Sequence, residues 1–103
     1  MADTVARNRK TIGIDYLRNN TASVLDDIKF YDQSFLVTRG GAPVGLLVPA
    51  AHDHPEAVQV TSERLRIATG SVADVVADGV PVIVTRHRNR QPVAVILPIA
   101  RKI

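Results

Sequence analysis

Residues 17–26, LRNNTASVLD, and residues 65–74, LRIATGSVAD, carry leucine, arginine, serine, valine and aspartate at the same spacing. The match continues downstream after small changes of spacing. It pairs Val37-Thr38-Arg39 with Val84-Thr85-Arg86, Pro43-Val44 with Pro92-Val93, and Pro49 with Pro98. An ordered set of identities over roughly forty residues per copy is hard to obtain by chance, so the sequence predicts an internal duplication.

Each copy has the pattern of a strand, a helix and a β-hairpin. In the first copy, residues 11–14 are predicted to be extended, and apolar residues from Leu17 to Ile28 recur at helical spacing behind Asp15, a candidate N-cap. Residues 34–38 and 44–48 are rich in branched and aromatic side chains, and the glycine-containing turn at residues 39–43 joins them.

The second copy repeats this order. Thr61 or Ser62 is the candidate N-cap, and Asp78-Gly79 is the predicted helix stop. Gly70 inside the helix costs about 1 kcal/mol relative to alanine. The remaining predicted elements are strands at 58–60, 82–85 and 93–97, a helical stripe from 65 to 76, and a basic hairpin tip at 87–91.

One copy alone is too small to bury both its helix stripe and its hairpin. We therefore predict one intertwined α+β domain with internal pseudo-twofold symmetry, in which two β-α-β-β repeats form a single-chain pseudo-dimer with a joined antiparallel sheet and helices packed on it. The predicted segments are a basic N-terminal arm at 1–10, a first repeat at 11–49, a linker at 50–57 and a second repeat at 58–103.

Composition narrows the class of protein. The chain has 103 residues, 46% hydrophobic and 22% charged, which is typical of a globular domain rather than a disordered chain. It contains no cysteine, which excludes disulfides and thiolate chemistry. It also has no apolar run near the roughly 18 residues of a membrane span. We expect a soluble, cytoplasmic protein with no membrane partner.

Basic residues are clustered although the net charge is only +3. Such clusters form directed positive faces that commonly meet phosphate, and the competing interpretation is a set of solvated loop ends. The clusters are Arg7, Arg9 and Lys10; Arg86, His87, Arg88 and Arg90; and Arg101 with Lys102.

The duplicated pattern resembles the DNA-binding half of the prevent-host-death (Phd/YefM) antitoxins of toxin-antitoxin systems. The motifs that carry the resemblance are Leu-Arg on the first helical turn, a strand that ends in Val-Thr-Arg, and Pro-Val at the start of the next strand. They occur in order in both copies and cover nearly the whole chain.

The resemblance implies a fold and a function. Family members are dimers with a shared sheet that bind palindromic operator DNA as repressors, and two arginines per subunit carry the contact. Carried over to this sequence, those arginines are Arg18 and Arg39 in the first copy and Arg66 and Arg86 in the second. Further candidate DNA contacts are Arg7, Arg9, Lys10, Arg88 and Arg90. For all of them the competing interpretation is a solvated or salt-bridged surface residue.

The chain departs from the family pattern in two ways. A second repeat follows where family members continue into a toxin-binding tail, so we expect that tail to be missing. The second hairpin tip carries His87-Arg88-Asn89-Arg90 in place of turn glycines, so the two half-sites of an operator are not expected to be read equally.

Other chemistries have weaker signals. His52-Asp53-His54 is a candidate metal cluster, but three donors in a linker are more often polar loop. Asn19 and Asn20 either read adenine or solvate the helix. No nucleophile stands at motif spacing from a histidine and no phosphate loop occurs, so we expect neither an enzyme, a metal nor a cofactor.

The sequence therefore predicts a double-stranded DNA-binding repressor that reads a pseudo-palindromic operator, with a second copy able to pair on a longer site. We expect it in the bacterial cytoplasm, associated with the nucleoid when bound to DNA. The alternative is a protein-interaction module that binds and inhibits a partner such as a toxin through a sheet edge or an exposed apolar patch near Val95 to Ile99.

Overall fold

The computed structural model describes residues 9–50, 57–86 and 91–99. The same succession of strand, two helices and two strands occurs twice, which confirms an α+β fold. The elements are β1 (Arg9–Gly13), α1 (Ile14–Asn19), α2 (Thr21–Tyr31), β2 (Ser34–Arg39), β3 (Ala42–Pro49), β4 (Val58–Thr61), α3 (Ser62–Ile67), α4 (Thr69–Ala77), β5 (Val82–Arg86) and β6 (Gln91–Pro98). None of these four helices has the length and apolar character that a membrane crossing requires.

A single six-stranded sheet runs in the order β1-β2-β3-β6-β5-β4. The prediction of a wholly antiparallel sheet is wrong, because β1 pairs with β2, and β4 with β5, in parallel. In each half a pair of helices separates these two strands and returns the chain to the end where the first strand began. The second strand must then run in the same direction as the first, as in other helical crossovers.

The two halves of the sheet join at its centre, where β3 pairs antiparallel with β6. Leu47 lies opposite Ile96, Gly45 opposite Pro98 and Pro49 opposite Ala94. Pro49 and Pro98 match in the repeated pattern, and the same spacing matches Leu47 with Ile96. The register is therefore centred on a residue facing its own counterpart.

The predicted helix of each copy is interrupted at one backbone position. Asn20 has φ −132° and ψ 32°, and Ala68 has φ −119° and ψ 43°, so neither residue is helical. Just beyond each break, the buried hydroxyls of Thr21 and Thr69 donate hydrogen bonds of 2.7 and 2.6 Å to the carbonyls of Leu17 and Leu65. Side chains that bond the backbone of the preceding turn compete with regular helix, which accounts for the bend.

The helix ends follow the sequence signals in part. Thr61 caps α3 as predicted, because its hydroxyl accepts from the backbone N–H of Arg64 at 3.0 Å. Asp15 is not the cap of α1. The helix begins at Ile14, with Gly13 as its N-cap, two residues earlier than predicted. Asp15 therefore lies in the first turn, where a carboxylate is favoured by the helix dipole. Gly79, with φ 98°, follows α4 as the predicted helix stop.

Both hairpins contain the same irregularity. The loop between β2 and β3 is Gly40-Gly41, whose positive φ values of 56° and 87° match the twist of a tight hairpin. One residue of each second strand, Val44 in β3 and Val93 in β6, is extra in the pairing and forms a bulge. Proline precedes each bulge, at a place where a missing N–H is tolerated.

The core lies between the helices and one face of the sheet. It contains the predicted helix stripe, including Leu17, Leu25, Ile28 and Leu65, all at most 2% exposed. Alternation along the strands sends a second set of aliphatic side chains to the opposite face, outside this core cluster. That outer set consists of Leu36, Leu46, Val48, Ile83, Val95 and Leu97.

Candidate nucleic-acid interface

The strand-end arginines bind carboxylates of the opposite half of the molecule. Arg39, the last residue of β2, donates to Asp74 of α4 at 2.5 Å. Arg86, the last residue of β5, donates to Asp26 of α2 at 2.6 Å. Asp26 and Asp74 are matching positions of the repeated pattern, so the two ion pairs cross between the halves reciprocally.

The helix arginines bind within their own helices. Arg18 of α1 donates to Asp15, three residues earlier, at 2.7 Å. Arg66 of α3 lies 4.0 Å from Glu63, also three residues earlier. Such pairs on a helix surface contribute a few tenths of a kcal/mol each.

The structure brings both predicted arginines of the second copy to one place. Arg66 and Arg86 line a shallow depression together with Glu63 and two residues at the start of α2, Thr21 and Ala22. In the first copy, Arg39 lies over the corresponding helix start, because a Cβ built on Gly70 would be 3.3 Å from its Nη2 atom.

The two strand-end arginines lie at opposite ends of the sheet. β2 runs antiparallel to β3, β3 to β6, and β6 to β5. The last residues of β2 and β5 therefore lie at opposite ends of the sheet along the strand direction. Each side chain turns toward the helical layer, since Asp74 and Asp26 are both on helices. The longest dimension of the molecule is 37 Å, close to the roughly 34 Å of one turn of B-form DNA.

These ion pairs are accessible, and one is more enclosed than the others. The side chains of Arg18, Arg39 and Arg66 are 46%, 44% and 56% exposed, whereas that of Arg86 is 17% exposed. Exposed pairs typically stabilise a protein by about 0–1 kcal/mol, so a phosphate can replace the carboxylate at small cost.

The four predicted arginines and their four carboxylates sum to zero charge. Long-range attraction to a polyanion must therefore come from other basic residues. Arg64 is exposed on α3, at the position that matches Tyr16 of α1. Arg9 and Lys10, which the sequence places in the basic arm, are exposed in β1 opposite Ser34 and Phe35. The other three predicted contacts, Arg7, Arg88 and Arg90, lie outside the described residues.

Sequence reasoning missed the role of the acidic residues. Asp26 and Asp74 are part of the repeated pattern, but their pairing with an arginine of the other copy depends on how the halves meet. The sequence signals predict Asp15 as a helix cap, whereas its carboxylate binds Arg18. The signal that could have found the latter pair is the acidic residue three positions before the arginine in both helices.

No other site of recognised chemistry lies in the part of the chain that the structure describes. Those residues hold no group of three side chains able to bind a metal ion, and His52-Asp53-His54 lie outside them. Asn19 is exposed at the end of α1, and the amide of Asn20 donates to the carbonyl of Tyr16 at 3.1 Å, so Asn20 serves the helix end. Comparison of the chain with protein-family models, with curated proteins and with solved structures finds no match.

Proposed function

We propose that this protein is a sequence-specific double-stranded DNA-binding regulator, built as a single-chain pseudo-dimer of two Phd/YefM-like repeats. The observation that carries the proposal is the reciprocal pairing of Arg39 with Asp74 and of Arg86 with Asp26. Matching arginines paired with matching aspartates on one side of a sheet are the arrangement that a pseudo-palindromic duplex requires.

The central sheet pairing supports the same arrangement. A register centred on Leu47 and Ile96 is what two related units produce when they meet about a local twofold axis normal to the sheet. Such an axis relates the two arginine pairs, one at each end of the sheet. Their separation is limited by the 37 Å length of the molecule, so the two half-sites are centred no more than about one helical turn apart.

The chemistry of the arginines fits the two parts of a DNA contact. A guanidinium can bind the edge of guanine with two hydrogen bonds, which contributes about 1–3 kcal/mol of discrimination between bases. It can also bind phosphate. Because three of the four side chains are about half exposed, they can leave their carboxylates without a large loss of stability.

The test begins with selection of duplexes from a randomised pool by the purified protein, followed by affinity measurements on the enriched duplex. We expect a two-armed motif, and a log-log fall of affinity with salt of about 0.9 per phosphate contact. The quadruple variant with Arg18, Arg39, Arg66 and Arg86 changed to alanine should lose binding to the enriched duplex.

A charge-matched control separates specific contacts from net charge. Changing the same four residues to lysine keeps the net charge at +3 but removes the two-pronged geometry, so weak salt-dependent binding should remain while sequence preference is lost. If the alanine variant binds the enriched duplex as tightly as the natural protein, the proposed surface is wrong.

The apolar outer face of the sheet favours a second candidate function, binding of a protein partner. Leu36, Leu46 and Leu97 form one partly exposed row across the central strands, and Ile83 and Val48 lie in the next row on either side of Val95. The predicted patch near Val95 to Ile99 is not exposed throughout, because Val95 and Ile96 are buried. A partner bound through apolar area would be far less sensitive to salt than a duplex. Binding of a protein partner that resists salt, together with no duplex enrichment, would favour this alternative.

A further inference from the structure

We propose that the two arms of the DNA-binding surface discriminate bases unequally, with Arg39 dominant and Arg86 weaker, so that the preferred duplex has one strong and one weak half-site. This inference rests on the proposed function and adds to it the kind of operator that the protein reads. It concerns base discrimination rather than total attraction to DNA.

The first observation is the difference in exposure between two otherwise matching side chains. The Arg39 side chain is 44% exposed and that of Arg86 is 17% exposed. A guanidinium enclosed by protein has fewer N–H groups directed outward. To reach a base edge, Arg86 must give up the packing of its aliphatic stem as well as its ion pair.

The surroundings explain the difference. Arg86 lies in the depression formed by Ala22, Ser62 and Arg66, among other residues. Arg39 lies beside Gly70, which matches Ala22 in the repeat and has no side chain to form a wall. Gly70, which the sequence analysis expects to weaken the helix, thus leaves the Arg39 side chain exposed.

The acidic partners differ in the same direction. Asp74 is 65% exposed and Asp26 is 48% exposed, so the carboxylate of the first arm is better hydrated after its arginine departs. The pair between Arg39 and Asp74 is therefore the easier of the two to open.

The neighbouring helices add a third difference. α1 presents the polar Asn19, whereas α3 has Ile67, 62% exposed, at the matching position. An amide can bond a base edge or a phosphate, and an isoleucine cannot. Arg64 adds charge to the second arm where the first has Tyr16, which strengthens attraction to phosphate without adding discrimination at the Arg86 contact.

The experiment compares Arg39→Ala with Arg86→Ala on the duplex enriched from the randomised pool, and on two versions in which one half-site at a time is scrambled. We expect Arg39→Ala to weaken binding to the enriched duplex by more than about tenfold and Arg86→Ala by less than about threefold, given that one two-pronged contact corresponds to roughly 5- to 150-fold. In the Arg39→Ala variant, scrambling the strong half-site should reduce affinity by a smaller factor than it does for the natural protein. A purely structural role of Arg39 would leave that factor unchanged.

The outcomes separate the inference from the proposed function. Equal losses from the two variants, or a larger loss from Arg86→Ala, overturn the inequality while DNA binding stands. No loss from either variant also overturns the inequality, whereas failure to enrich any duplex from the pool overturns both the inequality and the proposed function. Thermal unfolding checks that each variant is folded. If an alanine variant is not, Arg39→Lys and Arg86→Lys, which keep the charge beside the aspartate, decide by the same comparison.

Discussion

Gly45 leaves no room for a side chain between helix and sheet, and replacing this glycine by alanine should destabilise the protein. Gly45 lies in β3 beneath α4. A Cβ there would be 2.7 Å from Cγ1 of Val76, 2.9 Å from Cγ2 of Ile96 and 3.0 Å from the carbonyl oxygen of Leu97. The last of these atoms belongs to the backbone of the adjacent strand and cannot move aside without disturbing the β3–β6 pairing.

Two opposing effects set the magnitude. Replacing glycine by alanine in a strand otherwise favours folding by about 0.5–1 kcal/mol, because the unfolded chain loses freedom. Inserting an atom into a packed core costs about 1–3 kcal/mol, and at 2.7 Å this effect is the larger. We expect Gly45→Ala to lower the free energy of unfolding by about 1–2 kcal/mol, which corresponds to a fall in Tm of roughly 4–16 °C.

The assay is chemical and thermal unfolding followed by far-ultraviolet circular dichroism. Gly13→Ala is the matched control, because Gly13 is also extended and its added Cβ would come no closer than 3.9 Å to the neighbouring atoms. It should change stability by less than about 1 kcal/mol.

A double-mutant cycle identifies the cause. Val76→Ala alone removes two buried methyl groups and should cost about 2 kcal/mol. In combination with Gly45→Ala it also removes the nearest clashing atom, so the double variant should be more stable than the sum of the two single effects by at least about 0.5 kcal/mol. Additive effects, or a Gly45→Ala protein as stable as the natural one, would refute the steric explanation.

Two further predictions concern the helices. Thr21→Val and Thr69→Val should each lower the free energy of unfolding by about 1–3 kcal/mol, because each removes a buried hydroxyl that donates to the helix backbone. The measurement is urea unfolding. The control is Ser23→Ala on the exposed face of α2, whose free energy of unfolding should stay within about 0.5 kcal/mol of that of the natural protein. Gly79→Ala should lower the free energy of unfolding by about 1–2 kcal/mol, because Gly79 has a φ of 98°. Asp32→Gly, at φ 56° beyond α2, should leave it unchanged or raise it by up to about 1 kcal/mol. The opposite ranking of the two variants in thermal unfolding would contradict this account.

Periodicity sufficed to predict the buried helix stripe and the hairpin strands. The burial of Leu17, Leu25, Leu65 and Val76 follows from spacing alone, since a helical stripe has to face the core. The two-residue glycine loop follows from turn chemistry. These are local properties, which the residues themselves determine.

Features that depend on distant parts of the chain were not predictable in the same way. The parallel pairings of β1 and of β4 follow from the geometry of the bent helix pair in each half. The bend goes with a hydroxyl contact at Thr21 in the first half and at Thr69 in the second. The partners of Arg39 and Arg86 depend on the meeting of the two halves. The sequence identified these arginines as candidate contacts, and their function in DNA binding stays a prediction.

Because β3 and β6 belong to one polypeptide, matching positions of the two repeats at the centre of the sheet can carry different residues. Gly45 and Ala94, on the two central strands, illustrate this freedom. In an assembly of two identical subunits every substitution appears in both subunits. A substitution that fits at one of the two positions is then excluded if it does not also fit at the other. A covalently joined pair escapes that constraint, so its two sides can specialise separately while sharing a single scaffold.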